Sequence, residues 1–280
     1  MKISVIISTY NSPAWLEKVL WGYTRQTHTD FEIIIADDGS DETTAKLIKK
    51  FETESGLEIH HVWHEDKGYR RQTILNKAIL QSSTEYILFT DGDCIPRQDF
   101  ISVHVRMAEK GKFLSGGYCK ISNPLSLAIE PEAILNQSCF SVFWLLRRGM
   151  IGFSQMRKLW VKGVWAEWLD AVTTAKPTFN NCNSSAWKSD LLKVNGYDER
   201  MQYGGADREI GERLVNAGVL GKQIRHRAIC IHLFHKRGYA TADSIQKNQL
   251  IRAHTRKEKI TWSDYGIQSK HNVDVIGLSQ

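Results

Sequence analysis

The sequence predicts an α/β fold: a mostly parallel central sheet flanked by helices, with a helical aromatic-basic insertion and a helical C-terminal tail. Three observations predict it. Over the first hundred residues, β-branched apolar runs alternate with segments of helical spacing, the pattern of a parallel sheet carrying helices on both faces. The runs are continuously apolar, as in strands buried on both sides. Acidic, glycine-bearing turns follow two of them, Asp37-Asp38-Gly39-Ser40 and Asp91-Gly92-Asp93. Ligands of such sheets bind at the carboxyl ends of strands, where these turns fall.

Each element has its own reason. Ile3–Ser8 is the first strand. Ser12-Pro13 opens a helix reaching about Gln26, with proline at a first helical position and Leu16, Val19, Leu20 and Tyr23 at helical spacing. Phe31–Ala36 is the second strand, followed by a helix over Thr43–Glu54. Leu57–Trp63 reads as a third strand, Arg71–Gln81 as a helix and Tyr86–Thr90 as a fourth strand. Residues 143–168 break the pattern. They hold Trp144, Trp160, Trp165 and Trp168 together with Arg147, Arg148, Arg157, Lys158 and Lys162, against the single acid Glu167. An amphipathic helical segment is predicted, touching a membrane surface or an acceptor. Most of its tryptophans are expected to pack on the core, because large aromatics usually bury. Beyond Pro177, short elements lead to a helix over Asp207–Ala217, one strand over Gln223–His232 and a helix over Ala242–Lys257 in a polar, basic tail from Gly238 onward. The expected organisation is one domain over residues 1–235, with halves at 1–125 and 180–235, an insertion at 126–179 and an extension at 236–280.

The chain has 280 residues, 42% hydrophobic and 24% charged, with five prolines. These values exclude a disordered or collagen-like chain. The longest uncharged apolar-rich run, Ala133 to Leu146, contains Asn136, Gln137, Ser138 and Ser141 and is short of the roughly 20 residues a span needs. Met1-Lys2 leads straight into a strand, so no secretion signal is expected. Cys94, Cys119, Cys139, Cys182 and Cys230 show no C-x-x-C spacing, which suits a reducing cytoplasm rather than a disulfide framework or structural zinc. The net charge of +6 favours an anionic partner without choosing one.

Four groups of residues carry chemistry. In Asp91-Gly92-Asp93 two carboxylates flank a glycine and can hold one hard cation, Mn2+ or Mg2+, beside a diphosphate; alone the tripeptide also reads as a polar turn. In Asp37-Asp38-Gly39-Ser40 an acid can accept from a base edge or ribose, or simply precede a helix cap. Asp207 follows Gly204-Gly205 at a helix start, where a carboxylate can serve as general base or merely cap. His232 or His235 can complete a metal site or be structural. His60, His61 and His64 form no usable spacing.

In this order the segments resemble the family-2 glycosyltransferases, inverting enzymes with the GT-A fold. Ile6-Ile7-Ser8-Thr9-Tyr10-Asn11, Glu32–Asp41 and Asp91-Gly92-Asp93 resemble that family's opening strand, acidic turn and D-x-D motif. Asn183–Leu191 and Val194–Glu199 resemble the C-terminal half of bacterial chondroitin-type polymerases and animal β-1,4-galactosyltransferases. The resemblance implies a nucleotide-sugar-binding half at 1–125 and an acceptor and catalytic half at 180–235. It places Ser8, Tyr10 and Asp38 at the nucleotide base and Arg70 near the nucleotide, with Arg71 as competitor. Asp91 falls near ribose and metal, Asp93 on the cation, Asp207 as base, Gly204 and Gly205 against the acceptor, and His232 on the metal with His235 the alternative. The implied activity is metal-dependent, inverting transfer from a nucleoside-diphosphate sugar, UDP-linked, to a glycan or glycolipid hydroxyl. A cytoplasmic enzyme of bacterial surface polysaccharide (lipopolysaccharide or capsule) synthesis, touching the inner membrane peripherally, is the implied setting. Two positions depart from the pattern: Ala206 stands where Glu precedes the base, and Leu75-Asn76 where Arg-Asn is usual. The first keeps open a second expectation, a degenerate module that binds donor without transfer. A nucleotidyltransferase is disfavoured because Ser8-Thr9-Tyr10-Asn11 lacks glycine. No motif supports binding to nucleic acid.

Overall fold

The computed structural model describes residues 1–236 and 240–268, so Gly238 of the tail and residues 269–280 lie outside the described residues. The predicted alternation is present as β1 (Ile3–Thr9), α1 (Pro13–Tyr23), β2 (Phe31–Asp37), α2 (Glu42–Glu54), β3 (Ile59–Trp63), α3 (Arg71–Gln81) and β4 (Tyr86–Asp91). Next come β5 (Cys94–Pro96), α4 (Phe100–Met107), β6 (Lys112–Ser115) and β7 (Gly117–Lys120). Then follow α5 (Asn123–Ala128), α6 (Pro131–Leu135), α7 (Val142–Arg147), α8 (Phe153–Trp160) and α9 (Gly163–Val172). The remaining elements are β8 (Ser184–Trp187), α10 (Lys188–Lys193), α11 (Ala206–Asn216), β9 (Leu220–Gln223), β10 (Ile229–His232) and α12 (Ala242–Lys257).

Seven strands form one sheet in the order β3-β2-β1-β4-β8-β6-β9. The pairs β1–β2, β1–β4, β2–β3 and β6–β9 are parallel, and only β8 runs against its neighbours. The β-branched run of β1 feeds two cores at once. Ile3, Val5 and Ile7 pack on one face and Ile6 on the other, which is why the run shows no alternation. The chain reverses its direction across the sheet at β1, opening a crevice at the strand ends. Register then decides what meets there: Ser8 lies opposite Asp91, and Thr9 opposite Asp37.

A second sheet, β5-β10-β7, stands beside the first. β10 is antiparallel to β5 and parallel to β7, with His232 opposite Cys94. Asn183 ties the small sheet down: its amide donates to the Gly117 and Ala228 carbonyls at 2.7 and 3.0 Å. Its Oδ1 lies 2.8 Å from Nε2 of buried His104. Burial pushes the His104 imidazole down to about 4, so it stays neutral at ordinary pH.

Three expectations are corrected. The first helix ends at Tyr23 instead of about Gln26. Gln26 turns inward, donating to the Gly22 and Arg97 carbonyls and accepting from the Ile101 amide. The single strand over 223–232 is two strands in two sheets. Between them the turn at 225–227 is captured by Asp170 of α9, whose carboxylate accepts from the His226 amide and from Arg227 Nε at 2.9 and 2.8 Å. The 143–168 stretch is helical, but its tryptophans do not mostly bury. Trp144 packs on the core, whereas Trp160, Trp165 and Trp168 are 70%, 70% and 57% exposed. Among the described residues, these short helices turn in Leu145, Met156, Leu159, Ala166 and Asp170 as well-buried anchors. On α9 the outward stripe Val164, Trp165, Trp168 and Val172 is the apolar one, a reversal of the usual amphipathic helix.

Candidate active site

Two adjoining cavities open at the ends of β1, β2 and β4. One, of 420 Å³, is lined by Ser8, Tyr10, Asp38, Arg71, Asp91 and Asp93, among others. The other, of 530 Å³, reaches from Asp91 and Arg71 to Asp207 and His232. Both volumes are in the range of small-ligand sites.

The first cavity gathers most of the predicted nucleotide residues. Ser8 Oγ donates to Asp91 at 3.0 Å and accepts from Arg71 at 2.8 Å, while Arg71 also pairs with Asp91. Arg70 is placed elsewhere. It caps the start of α3, its guanidinium reaches the Glu65 carbonyl, and only its backbone amide serves the site, donating to Asp38 at 3.0 Å. Arg71, one step into the helix, points into both cavities. Tyr10 is half exposed, with its hydroxyl on Asp66 at 2.8 Å. Asp38 is buried, which pushes its carboxyl up, opposed by His64 Nε2 at 2.8 Å and the Arg70 amide.

Asp93 faces two imidazoles. His232 Nε2 lies 4.0 Å from one carboxylate oxygen and His235 Nε2 3.4 Å from the other, with the rings stacked at 5.3 Å. Each Nδ1 is directed at a backbone carbonyl, His232 at Leu233 and His235 at Lys236. A carbonyl oxygen only accepts, so each Nδ1 carries a proton and each Nε2 is the nitrogen turned to Asp93. Burial, then neighbouring Asp91, pushes the Asp93 carboxyl up, and the two imidazoles oppose this. A carboxylate oxygen with imidazole nitrogens can serve Mn2+ and suits Mg2+ poorly, since Mg2+ takes oxygen ligands. Asp93, Cys94 and His232 are close enough to share one ion.

Asp207 is the second residue of α11, half-buried, accepting from the Arg208 amide at 2.9 Å. Burial raises its carboxyl above the usual aspartate range, and nearby Arg71 pulls the other way. The two glycines that precede Ala206 and Asp207 line neither of the two cavities described. Gly204 and Gly205 take φ of +112° and +89°, and a Cβ on them would press on Ile245 and Arg252 at 3.3 and 3.1 Å. Their close approach is to α12. Asn248 of α12, fully buried, donates one amide to the carbonyls of Gln202, Tyr203 and Gly204 at 3.0, 3.1 and 3.1 Å. Thr255 reaches Glu209, and Arg252 reaches Glu212, on α11. The tail helix therefore sets the loop that leads into α11 and Asp207. Ala206 is buried beside it.

Several contributors were not legible as motifs. His61 and His64 hold Asp37 and Asp38 at 2.9 and 2.8 Å. The signal is parallel register: β3 pairs with β2 so that His61 falls opposite Ile35 and Trp63 opposite Asp37. Asn248 had no signal, since a polar residue in a polar helix is unremarkable until its partners are known.

Residues 4–131 match glycosyl transferase family 2, and residues 172–236 match the N-terminal domain of galactosyltransferase. Validoxylamine A glucosyltransferase of Streptomyces hygroscopicus subsp. jinggangensis is 30% identical over 228 residues, 78% of this chain and 52% of that one. Chondroitin synthase of Pasteurella multocida is 24% identical over 241 residues, 77% of this chain and 23% of that one. The chain thus spans about half or less of these relatives' length. Among solved structures, the fold is shared with Staphylococcus aureus TarS 1-349 in complex with UDP-GlcNAc, TM-score 0.62 at 16% identity, covering 92% of this chain and 69% of that one. It is also shared with mannosyltransferase PcManGT from Pyrobaculum calidifontis in complex with GDP-Man and Mn2+, TM-score 0.55 at 20% identity, covering 90% and 61%.

Proposed function

The chain belongs to glycosyl transferase family 2 through residues 4–131, and on that premise we propose that it is an inverting transferase. It moves a sugar from a nucleoside diphosphate, UDP by preference, to a hydroxyl of a glycan or glycolipid. The observation that carries this reading is the convergence of Asp91, Asp93, Asp207 and Arg71 on two joined cavities. The first cavity takes the nucleotide, with Ser8, Tyr10 and Asp38 along its wall. Asp93 with His232 and His235 would hold a divalent cation, whose chemistry when bound is to neutralise the departing diphosphate. Arg71 supplies a fixed positive charge between the cavities. Asp207 accepts the proton of the acceptor hydroxyl as its oxygen bonds to the anomeric carbon. The bond from that carbon to the diphosphate breaks on the opposite face, and one displacement gives inversion.

A panel of nucleotide sugars, each titrated with and without Mn2+ and followed for hydrolysis, tests this. One donor is expected to bind and turn over slowly only with metal. Binding without transfer or hydrolysis under any metal supports the degenerate module instead, the reading Ala206 motivates.

The aromatic-basic insertion supports a peripheral contact with the cytoplasmic face of the inner membrane, in service of surface polysaccharide synthesis. No helix among the described residues is long and apolar enough to cross a membrane. Exposed Trp165 and Trp168, near Arg157 and Lys162, are suited to an anionic lipid interface. Flotation with vesicles containing phosphatidylglycerol is expected to recover the protein, and Trp165→Ser with Trp168→Ser to reduce recovery about tenfold. Equal recovery of both forms defeats the membrane contact.

A further inference from the structure

The larger cavity has a charge that a neutral sugar does not explain. It is lined by Arg71, Lys120, Lys158, Lys176, Arg208 and Arg225, against the carboxylates of Asp91 and Asp207 alone. Arg71 is paired with Asp91. Among the described residues, none of the other five has a carboxylate within ion-pair distance. The contrast with their neighbours is plain: Arg227, two residues beyond Arg225, is held by Asp170 at 2.8 Å, and Arg252 by Glu212 at 2.6 Å.

Two of the cations flank one ring. Lys158 Nζ donates to the Tyr118 carbonyl at 2.9 Å and lies 5.3 Å from the Tyr118 ring. Lys120 Nζ lies 5.4 Å from the same ring. Arg208 is close enough to influence the Tyr118 hydroxyl, and Arg225 the Lys158 ammonium. Burial lowers Lys158 from its ordinary range. Lys158 and Arg225 are half-buried like charges that repel, with exposed Lys120, Lys176 and Arg208 at the rim, and a ligand of opposite sign relieves that repulsion. The wall also carries Gln155 and Gln223, whose buried carbonyl oxygens have no hydrogen-bond partner, and such groups suit sugar hydroxyls.

The donor does not account for this charge. Its diphosphate belongs with Asp93, Gly92 and Ser8, which line the other cavity. The five cations line only the larger one, where Asp207 awaits the acceptor hydroxyl. We propose that the acceptor is an anionic glycan, bearing phosphate or carboxylate groups, and that Lys120, Lys158, Lys176, Arg208 and Arg225 read that charge across this cavity. The proposal rests on the transferase reading and names the substrate class of its acceptor side.

Calorimetry on the full chain, with Mn2+ and UDP present, tests it with three probes: trigalacturonate, glucose 6-phosphate and neutral maltotriose. At least one anionic probe is expected to bind, and which one distinguishes carboxylate from phosphate. Maltotriose is expected to bind at least about tenfold more weakly. Lys158→Gln combined with Arg225→Gln is expected to weaken the anion about tenfold or more and to leave UDP binding unchanged. Lys176→Gln, on an exposed residue, repeats the test without risk to folding. Maltotriose binding as well as the anions, neither anion binding, or anion binding indifferent to both variants overturns the proposal. So does a preference for UDP-glucuronate over UDP-glucose that the variants abolish, because the charge then belongs to the donor sugar. Loss of UDP binding by the wild-type chain is a separate result and counts against the transferase reading itself.

Discussion

Asp207→Asn is expected to lower kcat about 10³-fold while nucleotide-sugar binding stays within about twofold, the effect of removing a general base and nothing else. The amide keeps the shape of the carboxylate, and its Oδ1 can still accept from the Arg208 amide as Asp207 does at 2.9 Å. The pH profile gives a second readout. Burial disfavours the charged carboxylate and raises its pKa, and Arg71 offsets part of that. A base works deprotonated, so kcat/KM rises with pH through this ionisation, and its acid limb lies above the ordinary aspartate range. Steady-state transfer of wild type and variant across pH measures both. A variant with wild-type kcat removes Asp207 from the chemistry.

Asp93→Ala is expected to cost about 10²–10³-fold in donor turnover, the scale of losing one preorganised electrostatic partner of the leaving group. It is also expected to abolish the Mn2+ dependence of UDP binding. The fold is expected to survive. Asp93 faces two imidazoles and the Cys94 thiol, and its carboxyl is raised by burial, so the metal-free protein gains little from its charge. Titration of UDP with and without Mn2+ reads the binding, and thermal unfolding reads the fold. Metal-dependent binding that persists in the variant moves the cation site off Asp93.

The sequence made the first half of the molecule legible because each element there is specified locally. The runs at Ile3 and Phe31, the proline at 13 and the spacing over Arg71–Gln81 each act within a few residues. The acidic turns were legible for the same reason, since strand ends and ligand crevices coincide in parallel sheets. What failed depended on partners distant in sequence. Arg70 and Arg71 differ by one step of helix phase, and only the position of α3 against Ser8 and Asp91 chooses between them. Gly204 and Gly205 announce a close approach, but not that Ile245 and Arg252 are what approaches. The broken strand at 225–227 is decided by Asp170, far back in the chain. The tryptophans contradicted a sound average: aromatics bury when a core has room, and these short helices leave three of them outside.

The placing of β10 has a consequence for the order in which the protein is made. Asp93 leaves the ribosome early, together with the strands that shape the nucleotide crevice. His232, which faces it, sits on the last strand among the described residues, between β5 and β7. Chains emerge N-terminus first, so a nascent chain ending before Ile229 carries Ser8, Asp38, Asp91 and Asp93 but not the imidazoles of His232 and His235. Asn248, which sets the loop before Asp207, emerges later still. On the proposed reading a truncated product is a silent one: it would carry neither the imidazoles that face Asp93 nor the helix that sets the loop before Asp207, and so could not squander an activated sugar.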